Sequence, residues 1–154
     1  MAHQIRSQKE KYLFGSLFSF STKLQAIFDS RFAQYDMTTK QWLLTIVADG
    51  LFETPPSLTE LAEAMGSTYQ NVKQLALKLE KKDFLEICND EEDRRVIRLR
   101  LTNKNYVFWL NRQEEAEEFL KELFSTLTEE EINTICKGLN KLYQRILEIN
   151  KNLN

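Results

Sequence analysis

The chain has 154 residues, 42% of them hydrophobic and 29% charged, with a formal net charge of −2. That size suits one compact domain or a small domain with an accessory arm, and the composition excludes a disordered chain. A slightly acidic total speaks against non-specific coating of nucleic acid, yet it leaves room for a locally basic reading surface.

With only four Gly and two Pro, the chain reads as mostly helical with short connections. Residues 7–34 read as one long helix, because Leu13, Leu17, Phe20, Leu24, Ile27 and Phe32 recur at spacings of three and four, with Phe28 beside Ile27. Phe14, Phe18 and Ala33 widen its apolar arc beyond what one packing partner needs, so part of the stripe is a candidate contact for a second chain. Tyr35-Asp36-Met37 breaks the pattern. Thr38 and Gln41 form a capping box, opening a helix whose expected buried face is Trp42, Leu43, Ile46 and Val47. That helix ends near Asp49-Gly50, and Pro55-Pro56 stops any continuation.

A second capping box, Ser57 with Glu60, opens a short helix from Leu58 to about Met65, with Leu61, Ala62 and Met65 inward. Gly66 supplies a tight turn, and Ala62 and Gly66 are small where two helices should approach closely. The next helix, STYQNVKQLALKLEKK over residues 67–82, starts at Ser67 or Thr68. Val72, Leu75, Ala76 and Leu79 lie on one side; Gln70, Lys73, Gln74, Leu77 and Lys81 lie on the other. Four Lys against one Glu give this stretch a net +3 inside an acidic chain. Two short helices joined by a Gly-containing turn make a helix-turn-helix, and a basic second helix starting with Tyr, Gln and Asn suits a DNA major groove.

Asp83 ends that helix. Residues 84–88 read as a strand, 89–93 as a polar turn and 94–101 as a return strand, in which Ile97, Leu99 and Leu101 face the core while Arg98 and Arg100 face solvent. The tip, NDEEDRR, sets acids beside Arg94 and Arg95; bare acids would repel phosphate, so Asp93 is expected to fold back and orient one arginine toward a minor groove. A single helix is expected from about Lys104 to Ser125, with Val107, Leu110, Phe119, Leu120, Leu123 and Phe124 apolar. A third capping box, Thr128 with Glu131, opens a last helix carrying Ile132, Ile135, Cys136, Leu139, Leu142, Tyr143, Ile146 and Ile149. From Gln113 to Glu131 there are eight Glu and one Lys, a net −7, which places this arm away from DNA, where helices would pair between chains.

In this order, T-x-x-QW, SLTELAEAMG, NVKQLALKLEKK and D-x-x-DRR-x-x-x-L-x-LT resemble the MarR family of winged-helix transcription regulators over about residues 35–105. The resemblance implies a mainly α fold with a small β-hairpin wing: a winged helix-turn-helix lobe (36–103) between N-terminal (1–35) and C-terminal (104–154) helical dimerisation arms. It implies a homodimer that binds double-stranded DNA at a pseudo-palindromic operator, with repression as the expected sense. By position, Thr68, Tyr69, Gln70, Lys73 and Gln74 would face the major groove. Asp93, Arg94 and Arg95 would form the wing tip, and Ser57 and Thr59 would lie where the supporting helix approaches phosphate. A small aromatic or phenolic effector would release the DNA, with Tyr12, Phe32, Tyr35 and Trp42 as candidate lining residues. The chain departs from the family pattern at Asp83 and Asn105, which stand where glycine is usual; both are tolerated in a left-handed conformation. Gln74 replaces a common basic residue, and the first helix lacks the cysteine of the peroxide-sensing branch.

Catalytic chemistry is not expected. The single histidine, His3, lies in a terminus, no zinc-site spacing or Gly-rich phosphate loop is present, and the paired carboxylates sit on solvated faces. No cofactor, metal or membrane partner is expected, since the apolar runs are short. Cys88 and Cys136 form no CxxC and read as packing residues in a reducing cytoplasm; no secretory signal is visible. The competing reading is a winged-helix module used only for protein contacts, since a fold does not fix a function.

Overall fold

The computed structural model describes residues 2–152, and side chains from residue 5 onward, so His3 lies outside the described side chains. The chain forms two compact units, Met1–Phe108 and Trp109–Asn154. Among the described residues the order is α1 (Ala2–Phe32), α2 (Thr39–Gly50), α3 (Leu58–Ala64), α4 (Tyr69–Glu80), β1 (Leu85–Asn89), β2 (Ile97–Leu101), α5 (Asn103–Leu110), α6 (Gln113–Phe124) and α7 (Glu129–Lys151). A single 3-10 turn, Ala33–Tyr35, follows α1. No helix among the described residues is long and apolar enough to cross a membrane.

All three expected capping boxes form, at Thr38 with Gln41, Ser57 with Glu60 and Thr128 with Glu131. Each satisfies two backbone N–H groups that a helix start leaves without partners. The core of the first unit lies between α2, α3, α4 and the hairpin, where Leu44, Leu58, Leu61, Val72, Ala76, Leu79, Leu85 and Leu99 are essentially inaccessible to water. Each fully buried leucine contributes about 1.5–3 kcal/mol of transfer free energy.

The buried face of α2 differs from the expected one. Gln41, Leu44, Thr45, Val47 and Ala48 are buried, whereas Leu43 and Ile46 are exposed. The helical stripe runs through two polar residues that are satisfied inside it. Gln41 is held by its capping box, and the Thr45 hydroxyl donates to the Trp42 carbonyl at 2.8 Å. Counting apolar residues alone rotates the stripe away from them.

Gly66 has φ +57, and a Cβ added there would meet nothing within 4 Å. Left-handed backbone, rather than the expected close approach, is what the position requires. The Ser67 N–H donates to the Ala62 carbonyl at 2.8 Å and closes the turn between α3 and α4. Asp36 and Asp83 are also left-handed, with φ 53 and 59. Asn105, the other expected left-handed position, instead lies inside α5 and is 3% exposed. Thr102 caps that helix start by accepting from the Asn105 N–H at 3.4 Å, so no turn is needed there.

The strands pair antiparallel with Leu85 opposite Leu101 and Cys88 opposite Arg98. β1 is displaced by one residue from the expected run, and β2 is shorter than expected because residues 90–96 form the turn. The single helix expected from about Lys104 to Ser125 is two helices, α5 and α6. The break falls at Asn111-Arg112, where the apolar pattern lapses: between Leu110 and Phe119 only Ala116 is apolar. Phe108, which the apolar count passed over, is the α5 ring that packs inward, against Tyr35 at 5.7 Å and Phe84 at 5.0 Å between ring centroids.

Candidate nucleic-acid interface

α4 packs Val72, Ala76 and Leu79 into the core and turns the opposite side to water. Thr68 is its N-cap, its hydroxyl accepting from the Asn71 N–H at 3.2 Å. Tyr69, Gln70, Asn71 and Gln74 are exposed along the first turns, with Lys78 and Lys81 further on; Lys73 lies at the edge of the stripe, half-buried. Among the described residues none of Gln70, Lys73, Gln74, Lys78 and Lys81 has a side-chain partner. This face offers amide donors and acceptors at its start and ammonium groups along its length. Those are the chemistries that read base edges and hold phosphates.

The start of α3 lies differently for its two candidates. Thr59 is exposed. Ser57 is buried, and its hydroxyl accepts from the Glu60 N–H at 3.2 Å and bonds the Glu60 carboxylate, so it is engaged within the helix cap.

The hairpin turn is held by two carboxylates with different tasks. Asp90 accepts from the backbone N–H groups of Glu92, at 2.9 Å, and Asp93, at 2.8 Å, and also pairs with the Arg98 guanidinium. These donors hold its carboxyl down to about 2, the Asp93 N–H being the largest influence. Asp93 accepts from Arg95 at both Nε and Nη2, each at 3.0 Å, so the guanidinium is gripped by a bidentate fork and still projects into water, 90% exposed. This is the arginine that Asp93 was expected to orient. Arg94 is exposed beside it, and Arg100 is exposed on β2.

Three basic residues are engaged with partners inside the fold. Arg98 was expected on the solvent face; instead it pairs with Asp90, donates to the Pro55 carbonyl at 2.9 Å and lies 3.8 Å from Glu60. Asp90 at the start of the turn is the signal that points to it, since an Asp followed by Glu-Glu-Asp builds an Asx turn. Lys82 bonds the Asp36 carbonyl and carboxylate and reaches Gln41 Oε1 at 3.4 Å, fixing the end of α4 to the α1–α2 turn. Lys104 donates to the Lys82 carbonyl at 2.7 Å.

Of the aromatic candidates, Phe32, Tyr35 and Trp42 come together. Phe28 stacks on Phe32 at 4.2 Å and meets Trp42 at 4.6 Å, and Phe32 meets Tyr35 at 5.8 Å. Tyr12 is exposed twenty residues earlier on α1, about 30 Å away at a helical rise of 1.5 Å per residue. Cys88 is half-buried, its thiol 3.7 Å from the Arg98 carbonyl, and Cys136 is exposed on α7. Among the described residues no group of His, Cys, Asp and Glu gathers that could hold a metal ion.

No protein-family model matches the chain. Among solved structures, the transcriptional regulator SlyA superposes with a TM-score of 0.79 at 17% identity, covering 92% of this chain and 99% of that one. A MarR/EmrR family transcriptional regulator from Acinetobacter sp. ADP1 gives 0.76 at 18% identity, covering 90% and 97%. FabT from Streptococcus pneumoniae, in complex with DNA, gives 0.68 at 21% identity, covering 91% and 99%. At such identities the likeness speaks to the fold alone. The chain has the winged helix-turn-helix fold of the MarR-family transcriptional regulators.

Proposed function

We propose that this protein is a cytoplasmic, sequence-specific DNA-binding regulator that acts as a homodimer, with repression as its expected sense. The observation that carries the reading is the division of the basic residues. Arg98, Lys82 and Lys104 are tied into the fold, while Lys73, Lys78, Lys81, Arg94 and Arg100 have no partner among the described residues, and Arg95 is aimed outward by Asp93. A fold that used all its cations internally would leave none for phosphate. FabT, similar in fold, was solved with DNA, which supports the same use here. In this reading Gln70 and Gln74 read base edges, Lys73 and the α4 lysines hold phosphates, and Arg95 enters a minor groove. An effector site rests on less: Phe32, Tyr35 and Trp42 share one aromatic array from which Tyr12 stands apart.

The test is fluorescence anisotropy with a labelled duplex from upstream of the protein's own gene against a scrambled duplex, at two salt concentrations. Binding should prefer the upstream duplex and fall steeply with salt. Arg95→Ala should weaken binding to every duplex, and Gln70→Ala or Gln74→Ala should change the preference between them. A ratio near one at both salts would favour a module for protein contacts. Parent-like binding by Arg95→Ala would remove the hairpin from the interface.

A further inference from the structure

We infer that Arg98 is a positioning residue for DNA binding, which sets the angle at which the hairpin carries Arg94 and Arg95 without touching DNA itself. The inference rests on the DNA-binding reading above. Two strands alone make a marginal structure, and their direction is soft unless something outside the ladder holds them. Here the Leu99 N–H donates to the Pro56 carbonyl at 2.9 Å, and Ser57 bridges Arg98, so the segment before α3 forms a third rung against β2. The Arg98 side chain then returns over that same rung. Its Nη1 reaches the Pro55 carbonyl at 2.9 Å and lies 3.8 Å from Glu60 Oε2, and its Nε engages Asp90.

One guanidinium therefore joins three segments: the turn of the hairpin, the loop before α3 and the first turn of α3. Glu60 and Ser57 form the cap that starts α3, so the hairpin is referenced to the frame that also carries α4. Asp90 is itself fixed by the Glu92 and Asp93 N–H groups, so the link continues into the turn that presents Arg95. A planar fork with five donors can serve three acceptors in different directions; an ammonium at this position could not hold the same angles. With its side chain 32% exposed and its nitrogens engaged inside the fold, Arg98 is poorly placed to neutralise a phosphate.

The experiment uses the full chain and the upstream duplex, with Arg98→Met and, independently, Asp90→Asn. Asp90→Asn keeps an oxygen for the turn but sets an amide against the guanidinium. Thermal unfolding of each variant serves as the check on folding. Each variant should weaken binding about tenfold while leaving the slope of log affinity against log salt at the parent's value; Arg95→Ala should lower that slope by about one per lobe. On an Arg95→Ala background, Arg98→Met should cost less than about twofold, because it acts through a hairpin that no longer contributes its arginine. Unchanged affinity in both variants overturns the inference. So does a slope that falls as it does in Arg95→Ala, which would make Arg98 a phosphate contact, and so do effects that simply add in the double variant. A parent that does not discriminate between duplexes removes the regulator reading, and this one with it. A discriminating parent with indifferent variants removes only the positioning role.

Discussion

Asp90 accepts two backbone N–H groups and a guanidinium, and its carboxyl stays ionised down to about pH 2. The group's folded value lies below its ordinary one, so its contribution to stability is fully present above about pH 4 and is lost as pH falls toward the folded value. Urea unfolding of the parent and of Asp90→Asn should therefore differ by a constant amount from neutral pH to about 4.5, and the difference should shrink toward pH 2. A difference that does not change with pH would mean that the charge contributes nothing. At this scale the sequence was partly readable. Asp93 beside two arginines announced an oriented arginine, because the acids had to be neutralised by something close. Asp83 was marked as a left-handed position by the resemblance, since it stands where glycine is usual, and its φ is 59. Asn105 did not behave so, because the Thr102 hydroxyl started a helix there instead. Arg98 alternated with core residues and so read as a solvent position; its partners, Pro55 and Asp90, are far away or across a turn, which periodicity does not register.

The helix starts were the most readable elements, since a capping box is a contract between residues three apart. Their weights differ with surroundings. Ser57 is buried, bridges β2 through its backbone and starts the helix that supports α4, whereas Thr128 is exposed at the start of α7. Ser57→Ala should cost about 1–2 kcal/mol in chemical unfolding and Thr128→Ala about 0.5, at the two ends of the range for lost N-caps. Equal costs would show that burial adds nothing to the cap. What was not readable at this scale is the division between α5 and α6 and the rotation of α2. Both depend on polar residues treated as solvated that the fold uses otherwise: Thr45 bonds within its own helix, and Arg112 stands at the start of α6 rather than in its middle.

On the scale of the molecule, α6 and α7 bury no side chain among the described residues, and much of α1 is also exposed. The exposed residues are not scattered. Leu13, Leu17, Phe20, Leu24 and Ile27 on α1 are spaced four, three, four and three, and so are Ile135, Leu139, Leu142, Ile146 and Ile149 on α7. That is the seven-residue repeat of helices that pack along their length, and apolar area on this scale left in water marks an interface. On the homodimer reading these stripes meet a second copy, and the two lobes then address two half-sites of one duplex. Sedimentation should give a dimer for the parent. Leu142→Glu combined with Ile146→Glu puts two charges into the α7 stripe and should give a monomer at micromolar concentration. That monomer should retain its folded lobe, lose most of its preference for the upstream duplex, and show about half the parent's salt slope, because half the phosphates are neutralised. A parent that sediments as a single chain, or a variant that stays dimeric with both charges in place, would leave the stripes unexplained and the two-lobe reading without its basis.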